Sequence, residues 1–546
     1  MITVKAMASG RPQGHHRACP PWQAGRKRGT GMTQSKRDEQ AEVIGFLMSP
    51  GAFPADGQIN HIETHSAHVF LCGEVALKIK RAVRYDYLDQ STPELRQALV
   101  QRELDLNRSI APMIYRDVVP ITRAPGGGLE LSGSGPPVEW ALRMHRFAAD
   151  CEMPEVAASG RLTDAVAEAL GGAVQGFHAA CPRRSDPGDA LIRDILDELG
   201  RVLAEFDTQI GSGVVDVFLG RARKQLADLA QHLRDRAANG HVRRVHGDLH
   251  LRNLLLIEGQ PVLFDALEFD ERLATCDVLY DLAFLLMDLC HRDLGRQANA
   301  AMTAYLLAAA RAEDAGLSAL PLFMAVRGAI RAMVLLQTDL ATGHSGESLP
   351  EARRYLTEAA RYLQPKALVL IAVGGVSGTG KTVLARDLAK DIGACPGPVH
   401  LRTDTERKAE AHPVSYAPAA RSAVYAHMLA RAANILAAGR SVILDGTFLD
   451  LAQRRAAQGL ALRQGVAFRG FWLTAPLPVL TKRVTSRQGD ASDADAAVVA
   501  AQIASLDAPV SDPGWETIDA GGSPDATRAA ASAALGSLVK GASSGG

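Results

Sequence analysis

The sequence contains few cysteines, and they form no recognisable motif. Seven are scattered through 546 residues, namely Cys19, Cys72, Cys151, Cys181, Cys276, Cys290 and Cys395. An odd number without any C-x-x-C pair argues against a zinc ribbon and against a disulfide framework. We therefore expect reduced thiols, which are typical of cytoplasmic proteins.

Net charge is also absent, because 60 Lys and Arg residues balance 60 Asp and Glu residues. A surface that binds polyanions such as nucleic acids is therefore not expected. No uncharged apolar run reaches the roughly 18–20 residues that a membrane-spanning helix needs. The basic amino terminus lacks the apolar segment of a secretory signal. These absences predict a cytoplasmic protein without membrane or nucleic-acid partners.

The composition is otherwise that of a globular protein, with 47% hydrophobic and 22% charged residues. Residues 1–40 hold eight basic and two acidic residues with Pro and Gly and without periodicity, which predicts a disordered basic tail. An arm for nucleic acid is an alternative interpretation of this tail, and Met32 is an alternative start site. The remainder divides near 364–366 into two predicted domains, residues 42–363 and 367–540.

The first predicted domain combines a small mixed lobe with a larger helical lobe. Residues 68–79 (HVFLCGEVALKI) predict two strands around a turn, and 93–108 predict a helix. From 155 to 363 the pattern is mostly helical, with a strand–loop–strand at 242–270. In the second predicted domain, the apolar run 367–373 (ALVLIAV) is typical of a buried parallel strand. Strands then alternate with helices, which predicts an α/β domain with a parallel sheet.

The second domain contains a complete G-x-x-x-x-G-K-[ST] motif between a strand and a helix. Its glycines allow backbone N–H groups to point at phosphate oxygens, and the helix N-terminus adds positive charge. Lys381 would reach the β and γ phosphates, and the Thr382 hydroxyl would contact Mg²⁺. The motif predicts binding of ATP with Mg²⁺ through Gly375, Ser377, Gly378, Thr379, Gly380, Lys381 and Thr382.

Acidic and basic residues near this loop favour a small-molecule kinase. Asp404 is predicted to end the second strand, where open α/β sheets place their ligands. Asp445 ends the strand SVILD, where it could hold Mg²⁺. Arg483 and Arg487 lie four residues apart on one helix and could contact the transferred phosphate.

Residues 367–520 resemble the gluconate kinase, adenylylsulfate kinase and zeta-toxin branch of P-loop phosphotransferases. The resemblance rests on GGVSGTGKT, LRTDTERK, VILDGTF and KRVTSR. It implies that Asp404 orients or deprotonates the substrate, with Arg402 and Arg407 nearby. It does not identify the acceptor.

A second constellation is His246-Gly-Asp248-Leu-His250-Leu-Arg-Asn253, followed by Asp265 on the next strand. At this spacing Asp248 can accept a hydroxyl proton, while Asn253 and Asp265 can hold Mg²⁺ against phosphates. Upstream, Val75-Ala-Leu-Lys78 matches V-A-I-K, in which the lysine reaches the α and β phosphates. Glu103 is placed to pair with Lys78, and Lys80 on the same strand face is the rival for this role.

These residues make 42–363 resemble the aminoglycoside phosphotransferase and choline-kinase family, which has the protein-kinase-like α+β fold. The resemblance implies that Asp248 is the catalytic base, that Asn253 and Asp265 bind Mg²⁺, and that Lys78 and Glu103 hold the nucleotide. No G-x-G-x-x-G precedes Lys78, so the loop 64–68 is the alternative cover for the phosphates.

The two halves together resemble bacterial proteins described as bifunctional aminoglycoside phosphotransferase/ATP-binding proteins. We expect two ATP- and Mg²⁺-dependent sites, each transferring phosphate to a small hydroxylated acceptor. Three alternatives stay open: a nucleotide-sensing module in one domain, aminoglycoside resistance through the first, and a toxin-like second domain.

Overall fold

A computed structural model describes residues 34–53, 57–64, 66–85, 88–211, 213–342, 346–409, 418–486, 496–504 and 512–542. The chain forms two compact units. The first contains the described residues up to Asp288 together with Leu322–Leu363. The second contains Leu289–Pro321 and the described residues from Gln364 onward.

The strands of the first unit form one large sheet and several short ribbons. Six strands pair in the order β1-β2-β3-β8-β6-β7, β4 pairs with β5, β10 with β11, and β12 with β9. Their bounds are β1 (Asn60–Glu63), β2 (Ala67–Cys72), β3 (Val75–Lys80), β4 (Arg84–Tyr85), β5 (Leu88–Asp89), β6 (Tyr115–Arg123), β7 (Leu129–Leu131), β8 (Pro137–His145), β9 (Val242–Arg244), β10 (Leu254–Ile257), β11 (Gln260–Leu263) and β12 (Thr275–Asp277).

The helices up to residue 362 follow the helical pattern of the sequence. Their bounds are α1 (Gln34–Leu47), α2 (Pro93–Asn107), α3 (Met153–Ala158), α4 (Asp164–Ala180), α5 (Ala190–Leu203), α6 (Asp207–Ile210), α7 (Val214–Ala238), α8 (Val278–His291), α9 (Gly295–Ala308), α10 (Leu320–Thr342) and α11 (Leu349–Tyr362). The predicted helix at 93–108 and the predicted strands around residue 73 are confirmed. Helix α1 shows that residues 34–40, predicted as part of a disordered tail, are helical; residues 1–33 lie outside the described part of the chain.

Alternation along the strands gives the six-stranded sheet two apolar faces. One face, with Val69 and Ala76, packs on Val100 and Leu104 of α2. The other face, with Phe70 and Leu77, packs on α1. Because successive side chains of a strand point to opposite faces, Lys78 and Lys80 share the α2 face with Ala76. This register brings both lysines into the interior beneath the sheet.

The segment Leu289–Pro321 belongs to the second unit, whereas the sequence placed it within residues 42–363. Buried Arg431 explains the difference, since it pairs with Asp314 at 2.8 Å and with Glu406 at 2.6 Å. Asn299 of α9 also donates to the Pro398 carbonyl at 2.7 Å. These long-range contacts leave no mark in the helical periodicity, so the pattern alone could not assign the segment.

The second unit is built on the predicted parallel sheet. Five strands in the order β14-β15-β13-β16-β17 are all paired in parallel. Apolar residues of β13, β15 and β16 pack against α12 and α18. The bounds are β13 (Val369–Gly375), α12 (Lys381–Ala389), β14 (Val399–Arg402), α13 (Thr403–Ala409), α14 (Pro418–Ala437), β15 (Val442–Asp445), α15 (Leu451–Gln464), β16 (Ala467–Thr474), α16 (Leu477–Thr485), α17 (Ala496–Ala504), β17 (Trp515–Asp519) and α18 (Pro524–Ala542).

Among the described helices, one segment is long and apolar enough to cross a membrane by length and composition. This segment is Leu320–Leu340, and 78% of its most apolar window is buried inside the protein. The core helix of a globular domain has the same properties.

Candidate active sites

Two lysines and one glutamate form a buried ion cluster in the first unit. Nζ of Lys78 lies 2.5 Å from one carboxylate oxygen of Glu103, and Nζ of Lys80 lies 2.6 Å from the other. All three side chains are at most 2% exposed. Burial acts to raise the pKa of Glu103, but the two ammonium charges outweigh it and lower this pKa to about 2. Glu103 therefore pairs with both Lys78 and Lys80, which the sequence left as alternatives.

Two further carboxylates complete the cluster. Lys78 lies 3.2 Å from Asp265, and Lys80 lies 2.5 Å from Glu268. Three carboxylates thus face two ammonium groups, which leaves one excess negative charge in a buried site. Burial raises the pKa of Asp265 to about 6; Lys78 opposes this shift, and the charges of Glu103 and Glu268 add to it. An excess negative charge of this kind suits a divalent cation.

The loop from His246 to Asn253 positions Asp248 beside a hairpin. The side-chain amide nitrogen of Asn253 (Nδ2) donates to the backbone carbonyl of Asp248 at 2.9 Å and to the Asp248 carboxylate at 2.8 Å. Burial acts to raise the pKa of Asp248, but the charge of His250 and hydrogen bonding to it hold this pKa well below its usual range. The lowered pKa favours the carboxylate form of Asp248, which can accept a hydrogen bond from a hydroxyl group.

The hairpin after this loop has the predicted form. Strands β10 and β11 pair in antiparallel register from Leu254 opposite Leu263, around the turn at Gly259. Asp265 follows with φ of 61°, in the left-handed region that a non-glycine residue rarely adopts. Its amide donates to the Tyr115 hydroxyl at 3.1 Å, and that of Ala266 donates to Asn107 at 2.8 Å. Tertiary contacts therefore hold this strained turn in place.

Two acidic residues that sequence reasoning missed hold the loop from His246 to Asn253. Asp281 accepts the backbone N–H groups of His246 at 3.2 Å and Gly247 at 3.0 Å, and Asp288 accepts that of Leu251 at 3.0 Å. Both belong to α8, seven residues apart and therefore on one helical face. The signal available in the sequence was two acids on one face of an otherwise apolar helix.

Asn253 offers a position for a metal ion. Its Oδ1 atom is buried and has no hydrogen-bond partner among the described residues, while its amide nitrogen is fully engaged. Buried carbonyl oxygens nearly always have a partner, and amide and carboxylate oxygens are typical ligands of Mg²⁺. The residues present therefore fit a cation held by Asn253 and Asp265.

In the second unit, residues 375–382 have the backbone that a phosphate loop requires. Gly375, Gly378 and Gly380 have φ values of 135°, 86° and 89°. A Cβ atom at Gly375 would lie 2.6 Å from the Leu473 carbonyl oxygen, and one at Gly378 would lie 3.0 Å from that of Leu480. Only glycine combines these angles with this close packing. Helix α12 begins at Lys381, so its N-terminus faces the loop.

The residues of this loop make contacts within it and with α17. Lys381 donates to the Val376 carbonyl at 3.1 Å, and Thr379 donates to the same carbonyl at 2.8 Å. The Ser377 amide donates to Gln502 of α17 at 2.7 Å.

The Thr382 hydroxyl donates to Asp445 at 2.7 Å, and His400, a residue that the sequence did not single out, lies 3.2 Å from the same carboxylate. Burial acts to raise the pKa of Asp445, but hydrogen bonding to His400 lowers it to about 2. A hydroxyl and an ionised carboxylate side by side fit Mg²⁺.

Of the three remaining predicted site residues, the structure describes two, Asp404 and Arg483. Asp404 was predicted to end a strand, but β14 ends at Arg402 and Asp404 lies in the first turn of α13, 3.0 Å from Arg407. Arg483 donates to the carbonyls of Ala520 at 2.8 Å and Gly522 at 3.0 Å, so it secures the loop after β17. Arg487 lies outside the described residues.

Family models match two stretches of the chain. Residues 92–317 match the phosphotransferase enzyme family, and residues 370–509 match the AAA domain. The first unit thus has the protein-kinase-like α+β fold of that family, and the second is a P-loop domain with a parallel sheet. These assignments confirm the predicted fold class and make the chain a nucleotide-binding enzyme of the kinase type.

Solved structures match each half of the chain separately. A choline/ethanolamine kinase family protein from Mesorhizobium loti is 17% identical and covers 59% of this chain and 94% of its own, with a TM-score of 0.37. The amicoumacin kinase hAmiN is 17% identical, covering 60% and 94%, with a TM-score of 0.36. A gluconokinase from Sinorhizobium meliloti is 20% identical, covering 32% and 95%, with a TM-score of 0.25.

Relatives that match across both domains are also found. The uncharacterized protein Rv2004c of Mycobacterium tuberculosis is 30% identical over 464 residues, which cover 81% of this chain and 89% of the relative. The uncharacterized protein Mb2027c of Mycobacterium bovis matches equally. The chain therefore belongs to the family of these mycobacterial proteins, and it joins a phosphotransferase domain to a P-loop kinase domain.

Proposed function

We propose that the protein is a cytoplasmic, bifunctional phosphotransferase in which each domain transfers the γ-phosphate of ATP to a small hydroxylated acceptor. The observation that carries the proposal is the buried cluster of the first domain, in which Lys78, Glu103 and Asp265 meet. Phosphoryl transfer depends on positioning and on neutralisation of phosphate charge, and both halves contain the residues for it.

In the first domain, Lys78 grips the nucleotide phosphates while Glu103 holds the lysine in place. Asn253 and Asp265 hold Mg²⁺, which neutralises phosphate charge when it is bound. Asp248 accepts the hydrogen bond of the acceptor hydroxyl and directs its oxygen at the phosphorus. The unpartnered Asn253 Oδ1 and the excess negative charge of the cluster support this division of roles.

In the second domain, residues 375–382 surround the phosphates, with Ser377 and Thr379 among them. Lys381 reaches the terminal phosphates, and Thr382 with Asp445 holds Mg²⁺. Asp404 orients the acceptor, and Arg483 and Arg487 contribute positive charge. The 2.7 Å contact between Thr382 and Asp445 supports the metal position.

The test is transfer of labelled γ-phosphate from ATP into a metabolite extract. Wild type is compared with Asp248→Ala and Lys381→Ala in the full chain. We expect two sets of labelled products, one lost in each variant. The matched controls are Asp117→Ala, a half-exposed acid paired with Arg143, and Lys366→Ala, an exposed lysine; both should keep both sets.

The outcomes separate the proposal from its alternatives. If both variants give the same labelled products as wild type, both catalytic assignments are wrong. If nucleotide binds to a domain but no product depends on that domain, it is a nucleotide-sensing module. A product set that requires an added aminoglycoside would instead support resistance through the first domain, and growth arrest by residues 367–546 would support a toxin-like second domain.

A further inference from the structure

Two cysteines far apart in the sequence meet in the second unit. Cys290 lies in the last turn of α8, and Cys395 lies in the loop between α12 and β14. Their Sγ atoms are 2.6 Å apart, although 105 residues separate them along the chain. Sulfur atoms that already touch need little backbone movement to form a bond.

Both cysteines are partly exposed. They line one pocket together with three basic residues, Arg296, Lys390 and Arg528, and three acidic residues, Asp293, Asp387 and Asp525. By contrast, Cys72, Cys181 and Cys276 are buried. Cys151 is half-buried like the pair, but the side-chain contact of its sulfur is with the Asp150 carboxylate at 3.9 Å. The pair is therefore distinguished by access and by a second thiol within reach.

A buried guanidinium lies beside the pair. Arg440 is 1% exposed and donates to the carbonyls of Ala394 at 2.7 Å and Cys395 at 3.0 Å. Its Nη2 atom is buried without a hydrogen-bond partner in the described part of the chain. Burial lowers the pKa of Arg440 to about 10, and the sulfurs of Cys395 and Cys290 act against this shift. The thiolate is the reactive form of cysteine.

We propose that Cys290 and Cys395 form a reversible disulfide when the protein meets a peroxide. One thiolate attacks a peroxide oxygen, which breaks the O–O bond, gives a sulfenic acid and, after protonation, releases one water. The second sulfur then attacks the sulfenic sulfur, so the S–S bond forms, the S–O bond breaks and a second water leaves. Two thiols lose two electrons and two protons, and one hydrogen peroxide becomes two waters.

The disulfide fastens Leu289–Pro321 to the loop before β14. Helix α12 starts at the phosphate loop and runs back across the sheet, so the loop after it lies at the amino edge of the parallel strands. The phosphate loop lies at the opposite, carboxyl edge. Oxidation therefore stabilises the fastened segment without changing the residues of the nucleotide site, and the inference is independent of the proposed function.

The experiment treats the reduced full chain with hydrogen peroxide, blocks remaining thiols and maps the unreduced digest by mass spectrometry. We expect a Cys290–Cys395 linked peptide that disappears with dithiothreitol and persists in Cys151→Ser. Protease cleavage within Leu289–Pro321 should slow several-fold in oxidised wild type. It should not change in Cys290→Ser or Cys395→Ser, where the remaining sulfenic acid should react with dimedone.

Two results would overturn the inference. One is oxidation of both thiols in the native protein without a linked peptide. The other is a linked peptide that forms only after unfolding in urea. Because the mapping uses wild-type protein, it decides the question even if a cysteine variant fails to fold.

Discussion

Replacement of Glu103 by glutamine tests whether the buried cluster stabilises the first domain. Glutamine keeps the shape of the side chain but removes the charge that lies 2.5 Å from Lys78 and 2.6 Å from Lys80. Two buried ammonium groups would then face only Asp265 and Glu268. Each ammonium group would keep one carboxylate and lose the other, and breaking a buried ion pair typically costs about 3–5 kcal/mol.

The pKa of Glu103 gives an independent magnitude. Its fall from 4.5 to about 2 corresponds to about 3 kcal/mol of stabilisation of the folded state. Because the folded pKa is the lower one, this stabilisation is fully present above pH 4.5 and is lost as the pH falls from 4.5 toward 2. Glu103→Gln should therefore lower the free energy of unfolding by about 3–5 kcal/mol at pH 7. This difference between wild type and variant should become smaller as the pH falls from 4.5 toward 2.

The assay is urea unfolding of the full chain with brief proteolysis as the readout, using thermolysin at pH 7 and pepsin at pH 3. Fragments identified by mass report the first domain separately. The control is Glu63→Gln, because Glu63 is 54% exposed and pairs with Arg81 at 3.0 Å. An exposed pair contributes at most about 1 kcal/mol.

Two results would refute the reasoning. One is a deficit for Glu103→Gln no larger than that for Glu63→Gln at pH 7. The other is a deficit that keeps its full size at pH 3, because the charge of Glu103 would then not be its source.

Three further predictions concern the phosphate loop, the loop from His246 to Asn253 and the segment Leu289–Pro321. Gly375→Ala should weaken binding of a fluorescent ATP analogue at least tenfold, since its Cβ would meet the Leu473 carbonyl; Gly380→Ala, whose Cβ meets nothing within 4 Å, should weaken it less. Asp281→Asn should lower kcat of the first-domain reaction with little change in the KM for ATP, because Asp281 holds the backbone of His246 and Gly247; an unchanged kcat would contradict this. Asp314→Asn should destabilise the second domain by about 2–4 kcal/mol and speed cleavage within Leu289–Pro321, since Arg431 would keep only Glu406 as a charged partner; wild-type cleavage rates would disprove it.

Local sequence patterns predicted most of the fold, because short-range periodicity carries this information. The alternation in β2 and β3, the helical pattern of α2 and the turn at Gly259 are all properties of neighbouring residues. The same holds for the phosphate loop, whose glycines specify the backbone angles seen at Gly375 and Gly378.

Errors arose at one element boundary and where the decisive contact joins distant residues. The end of β14 was misjudged because Thr403 and Asp404 continue directly into α13. Asp281 was missed because its partners, His246 and Gly247, lie more than thirty residues earlier. His400 was missed for the same reason, since its contact with Asp445 forms only when β14 and β15 pair.

By itself, the sequence determined the two domain types, since spaced glycines, lysines and acids encode local chemistry directly. Only the tertiary structure decided that Lys78 and Lys80 share Glu103, that Asn253 presents an unpartnered oxygen, and that Leu289–Pro321 packs on the second domain. The physical reason is that burial and long-range pairing depend on how the chain closes on itself. No local pattern records which distant charges are brought together.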